Sequence, residues 1–402
     1  MKDQFVVPAR LKTTSFVLMG IGLLTLLIGL FALHGEHGAT RFWAGLLQNS
    51  TFFLLVVLAS TFFIGATTLA HGGWQIAFRR VPEAISMAVP VLGAIAFLVL
   101  MILVFGEKEH IYHWVNAEHV KHDRILNFKS PFLNKSFFTI ATAITIGLWI
   151  FFTIRLRRMS IEEDSWDLSR ETGKKLIWRN TVWCGGFIVI FALSVGSTTP
   201  WIWLMSIDAH WYSTMYSWYT FASTWVSGLS LIALFVIYLK GKGYLPYVNE
   251  EHLHDLGKFM FAFSVFWTYL WFSQYMLIWY ANIPEETVYF QPRVWGPFRP
   301  VFFLNLLINF VTPLLILMKR DVKRNYTTVA VMAGVIIFGH WLDFFQMVMP
   351  ATVKELHFPW YELGLGLGFV GLIILIVSNQ LTKAPLTPKN HPYLKESIVH
   401  HT

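Results

Sequence analysis

TTVAVMAGVIIFGHWLDFFQMVM, residues 327–349, is an apolar run interrupted by one imidazole, His340, and one carboxylate, Asp343. As a helix it is long enough to cross a ~30 Å hydrocarbon layer. Comparable runs at 13–33, 49–72, 84–106, 136–157, 177–199, 213–239, 256–281, 300–318 and 360–381 predict an all-α integral membrane protein with ten transmembrane helices. Asp343 is the only carboxylate deep inside any of them. Glu362 is expected at the outer lip of the last, where a carboxylate can stay wet. Composition agrees: of 402 residues, 55% are hydrophobic and 13% charged, the charge being concentrated between the runs and at their ends. A soluble core is excluded.

Lys and Arg set the expected orientation. Of the 31 basic residues, 22 fall on the side of the N-terminus and 9 on the other, so both termini are expected in the cytoplasm of a multi-pass protein. Cytoplasmic loops facing anionic lipid account for the net charge of +8 without nucleic acid. No gap is long enough for a sizeable soluble domain, so residues 1–402 read as one polytopic membrane domain. The proline-containing tail, 383–402, reads as an extended cytoplasmic segment available to a neighbour. In the outer gap, 107–135, Ile111, Trp114 and Val115 fall at helical spacing and suggest a short amphipathic surface helix.

Several chemistries are disfavoured. One cysteine, Cys184, can form neither an intrachain disulfide nor an iron–sulfur cluster by itself. Only His71 and His340 lie within spans, at different depths, which argues against bis-histidine haem. No phosphate-cradling loop is present. The pairs His110/His113 and His119/His122 have a spacing that can converge on a metal, but a histidine-rich surface face is the plainer reading, and no metal is assigned.

His340 and Asp343 are three residues apart on one helix face, near mid-bilayer. An ionisable group at that depth usually faces a bundle interior and marks a proton or ion path. Low dielectric favours the neutral acid and a neighbouring imidazolium favours its anion, a balance suited to a proton relay. The alternative is a hydrogen-bonded pair that only fixes packing. At the inner ends of the spans, His71, Glu83, Asp255 and Lys258 suggest the mouth of a proton path, with Tyr269 as a hydroxyl between mouth and centre. Snorkelling anchors and helix-end charges give the same pattern. Outside, Asp208 and His210 stand beside a tryptophan-rich rim that could hold a quinone head, or simply cap a turn.

The stretches DLGKFMFAFSVFWTYLWFSQYMLIWYANIPEETVYF (255–290), WQIAFRRVPEAIS (74–86) and SIDAHWYSTMYSW (206–218) carry a resemblance across all ten spans. The chain resembles the polysulfide-reductase/NrfD-like membrane subunits, and is similar to the shorter of the two such subunits in bacterial alternative complex III, a quinol:cytochrome c or oxidase oxidoreductase. The resemblance implies two four-helix bundles, spans 2–5 and 6–9, flanked by helices 1 and 10, in the bacterial inner membrane. It implies partners: a sister NrfD-like subunit, an iron–sulfur protein and c-type cytochromes carrying haem c. Quinol oxidation is attributed mainly to the sister subunit, and this one is a candidate proton-conducting arm. The expectation is therefore a non-autonomous subunit with no cofactor bound by this chain alone, with quinone or menaquinone possible at Asp208 and His210. A purely structural scaffold is the rival from another class.

Overall fold

The computed structural model describes residues 4–167 and 169–401. They form helices and, among the described residues, no strand. In chain order the long helices are α1 (Ala9–Ala32), α2 (Gly35–Leu69), α3 (Arg80–Phe105), α4 (Lys135–Ser165), α5 (Arg170–Asp208), α6 (Met215–Gly241), α7 (Glu250–Ala281), α8 (Arg299–Leu317), α9 (Tyr326–Thr352) and α10 (Trp360–Leu381). Among the described residues, nine are long and apolar enough to cross a membrane, and the chain is a multi-pass, all-α protein. The exception is α7, whose length of 32 residues is ample but whose Trp, Tyr, Ser and Gln side chains dilute its hydropathy.

Helix α2 starts well before the apolar run that announced it. Gly35, at φ 73°, makes a turn that L side chains resist, and the helix resumes at once. Both termini lie together, since the Gln4 amide donates to the Thr382 carbonyl at 3.2 Å. The face that carries them is called the terminal face below, and the opposite one the far face.

Packing closes two rings. Helix α2 touches α3 and α5, and α4 touches α3 and α5. In the same way α6 touches α7 and α9, and α8 touches α7 and α9. The rings meet where α2 packs on α6 and α9, and Gly228 of α6 lies so close to Ala59 of α2 that an added Cβ would stand 2.4 Å from the Ala59 Cβ. Lipid tails are as apolar as leucine, so close backbone approach and polar contacts carry helix association. The clearest case is α1 against α10. The buried positions of α1 are Ser15, Gly22, Thr25 and Gly29, and they face Gly364, Gly368 and Gly371. A Cβ on Gly22 would stand 2.4 Å from the Gly368 Cα, a clash with backbone that no rotamer relieves.

Three expectations change. Glu362 is buried rather than wet, because Arg41 of α2 donates to both of its oxygens at 2.9 Å. Such a bidentate pair supplies the hydrogen bonds that water would have made. Ile111, Trp114 and Val115 are buried in the core instead of lining a surface helix. Two short helices follow them, Ala117–His122 and Arg124–Lys129, each started by a side chain, Asn116 and Asp123, that accepts backbone N–H groups. The tail is irregular chain with one short helix, Leu394–Ile398, and lies against the terminal face, with His391 and Ser397 buried. Thr402, its last residue, lies outside the described residues.

Candidate functional site

Asp343 sits inside the second ring, and each helix of that ring supplies part of its surroundings. From α6, Tyr219 donates its hydroxyl to Asp343 Oδ1. From α8, Asn305 Nδ2 donates to the same oxygen at 2.9 Å. From α7, Trp267 Nε1 donates to Oδ2 at 2.9 Å. From α9 itself, His340 Nδ1 stands 3.9 Å from Oδ2 and 3.1 Å from the Ser223 hydroxyl of α6. Both His340 and Asp343 are fully buried.

Local sequence explains the convergence. Tyr219 and Ser223 are four apart on α6, as are Asn305 and Asn309 on α8, so each pair shares a helix face. Asn309 Nδ2 donates to Asn305 Oδ1 at 2.6 Å, which orients the Asn305 amide toward the carboxylate. Helix α8 widens into a π turn at Leu307–Val311, a local irregularity often found beside functional sites. Gly339 lets that turn approach: an added Cβ would meet Asn309 Oδ1 at 2.1 Å and Ile308 Cγ2 at 2.4 Å.

All three donors to the carboxylate are neutral. They occupy both of its oxygens, and the imidazole beside it has one nitrogen, Nε2, with no hydrogen-bond partner. An acid and a base are thereby held away from solvent, 3.9 Å from each other.

Toward the far face lies an aromatic and cationic layer. Arg293 is buried and donates to the backbone oxygens of Tyr289, Gln346 and Met347 while its guanidinium lies 3.5 Å from the Tyr289 ring centroid. Tyr289 in turn stacks on Trp211 at 4.0 Å. Arg293 also lines a far-face cleft of about 690 Å³, together with His113, His119, His122, Asp123, Asp208 and His210. In that cleft His210 Nε2 bonds Asp123 Oδ2 at 2.5 Å. The Leu126 N–H, followed by the His210 ring, holds the Asp123 carboxyl below the usual carboxylate range. Burial pushes the His113 imidazole down. No three His, Cys, Asp or Glu side chains among the described residues are placed to share one metal ion.

No family model and no curated protein matches the chain.

The residues anticipated from sequence separate into different environments. His340 and Asp343 come together. Asp208 and His210 share the far-face cleft. Glu83 is buried on the terminal face in an ion cluster: Arg79 and Ser160 donate to its Oε1 at 3.0 and 2.5 Å, and Arg80 and Arg157 to its Oε2 at 3.3 and 2.7 Å. Asp255 bonds Lys258 at 2.5 Å and His400 of the tail at 2.7 Å. His71 is exposed at the end of α2, in a left-handed conformation at φ 51°. Tyr269 is 63% exposed, on the outward side of α7, and takes no part in the Asp343 cluster.

Sequence reading missed Tyr219, Ser223, Trp267, Asn305 and Asn309. One signal was available: Tyr216, Tyr219, Ser223, Ser227 and Ser230 recur every three or four residues, a hydroxyl stripe that stays buried along α6.

Proposed function

We propose that the chain is an NrfD-like subunit of a quinol-oxidising respiratory assembly of the alternative complex III kind, and that Asp343 with His340 moves protons through its second helical ring. The observation that carries this reading is a fully buried carboxylate held by neutral donors from three other helices, with an imidazole of open valence beside it. An ionisable group is costly to bury at this depth, and where one is kept it usually marks a proton or ion path. Two closed rings of four helices, flanked by paired first and last helices, support the family assignment. The basic bias supports a cytoplasmic terminal face, in the bacterial inner membrane that the resemblance implies. Iron–sulfur clusters and haem c belong to partner subunits.

In this mechanism Tyr219 and His340 act on opposite sides of the acid. Tyr219 points the relay toward the Arg293 layer and the far-face cleft, and His340 hands it to Ser223 and the hydroxyls of α6. The test is Asp343→Asn in the intact assembly. Assembly at wild-type yield with turnover or coupled proton transfer lowered at least tenfold supports the relay. Wild-type turnover together with wild-type proton translocation ends it, and loss of assembly alone returns the scaffold reading.

A second reading places quinone in the far-face cleft. It rests on Asp208 and His210 lining one cleft beside the groove that holds Trp211, Tyr212 and Phe128, about 1410 Å³ in volume. A photoreactive quinone that labels only the sister subunit removes it.

A further inference from the structure

The tail is tied to the terminal face almost entirely by polar contacts. Past Ala384 and Leu386, which are buried at the end of α10, the Lys389 N–H bonds Asp164 Oδ1 at 2.9 Å. The Asn390 amide bonds the carbonyls of Asp164 and Trp166 at 3.1 and 2.7 Å. His391 Nε2 meets Arg79 Nη1 at 3.1 Å. Ser397 donates to the Trp74 carbonyl at 2.6 Å and accepts from the Ala77 N–H at 2.9 Å. His400 rests on Asp255 at 2.7 Å. Ile398 and Val399 are exposed, and the helix Leu394–Ile398 is too short to persist on its own.

Beneath the tail is a small polar cavity of about 20 Å³, walled by Thr68, His71, Gln75, Arg79 and Asn180 and closed by His391 and Tyr393. It has room for a single water. Gln75 is fully buried, and neither atom of its amide has a hydrogen-bond partner. A buried amide in that condition is costly unless a small polar ligand meets it.

We propose that residues 383–401 form a removable lid over this polar cavity, with the His391–Arg79 contact as its latch. Leu386 anchors the base, and the chain beyond it detaches as a unit. Arginine only donates, so the latch requires the tautomer with the lone pair on His391 Nε2 and the proton on Nδ1, which stands 3.2 Å from the Tyr393 nitrogen. A proton on the ring abolishes the acceptor and brings a second cation against Arg79. The groups facing the ring are Arg79, Arg80 and Glu83 from the start of α3 and His71 from the end of α2. Asn180 and Glu163, from the α4–α5 hairpin, stand behind Arg79.

Burial, followed by Arg79, pushes the docked His391 down to about 3. Its value when released is the ordinary one, about 6.5. The docked value is the lower, so the latch is at full strength above pH 6.5 and weakens as pH falls toward 3, the open fraction rising about tenfold per pH unit within that window.

The test is hydrogen exchange over 387–401 in the full-length protein in nanodiscs, corrected for the intrinsic pH dependence of amide exchange. The wild type is expected to lose protection about tenfold between pH 7.5 and 5.5. His391→Gln, which keeps an acceptor that does not titrate, is expected to hold constant protection. In a Gln75→Cys, Cys184→Ala background, a water-soluble maleimide should react faster with position 75 when 387–402 is deleted, and faster again in full-length His391→Lys than in its His391 parent. Protection that does not change with pH, a pH dependence that persists in His391→Gln, or a maleimide rate indifferent to both tail variants overturns the lid.

Discussion

The Glu83 cluster and the Asp343 cluster are both buried carboxylates between helices, and they are built on opposite principles. Glu83 is surrounded by guanidinium groups from Arg79, Arg80 and Arg157, with Asp164 taking a further bond from Arg80 at 2.8 Å. Charge is balanced by charge, and the Glu83 oxygens are saturated. Asp343 receives only neutral N–H and O–H donors, and no guanidinium or ammonium group bonds to it. The first arrangement ties the start of α3 to the end of α4. The second leaves a degree of freedom that chemistry can use.

The largest effect is expected where the fixed cluster is broken. Glu83→Ala strands Arg79, Arg80 and Arg157 against one another, and an uncompensated buried charge costs on the order of 3–5 kcal/mol. Yield of folded protein in detergent, read by size-exclusion profile and thermal melt, should collapse. Gly339→Ala comes next: its Cβ meets Asn309 and Ile308, α8 must move away, and a loss of about 1–3 kcal/mol is expected, with weakened activity because Asn305 moves with Asn309. Ser223→Ala removes the hydroxyl 3.1 Å from His340 and should cost about 1 kcal/mol in thermal stability. If the relay passes through His340, activity falls further than that stability loss explains. Smallest is Tyr269→Phe, expected to change stability by less than about 0.5 kcal/mol and activity not at all, because the hydroxyl lies on the exposed side of α7. Should Tyr269→Phe impair proton transfer, the contrast between the two clusters would need redrawing.

Hydrophobic patterning made the helices legible, because a segment that crosses lipid must be apolar for its whole length. The ends were less so. Helix α2 begins with GEHGATRFWAG, polar residues that pack on α10 through Arg41 and Glu362, and no hydropathy window reports that. His340 and Asp343 were legible as a pair because both lie on α9, within one turn. Their partners were not, because contact between helices leaves no mark in local spacing. Tyr269 shows the cost of choosing by residue type: two positions from Trp267, it points some 200° around the helix, and the indole rather than the phenol faces the acid. The hydroxyl stripe of α6 was readable in principle, since its period alone separates a buried polar face from scattered serines.

Helix α1 finds its principal partner in α10, glycine backbone against glycine backbone. Helix α1 therefore lacks its principal partner until α10 has been translated. A polypeptide that stops before α10 leaves the glycine face of α1 unpaired in the bilayer.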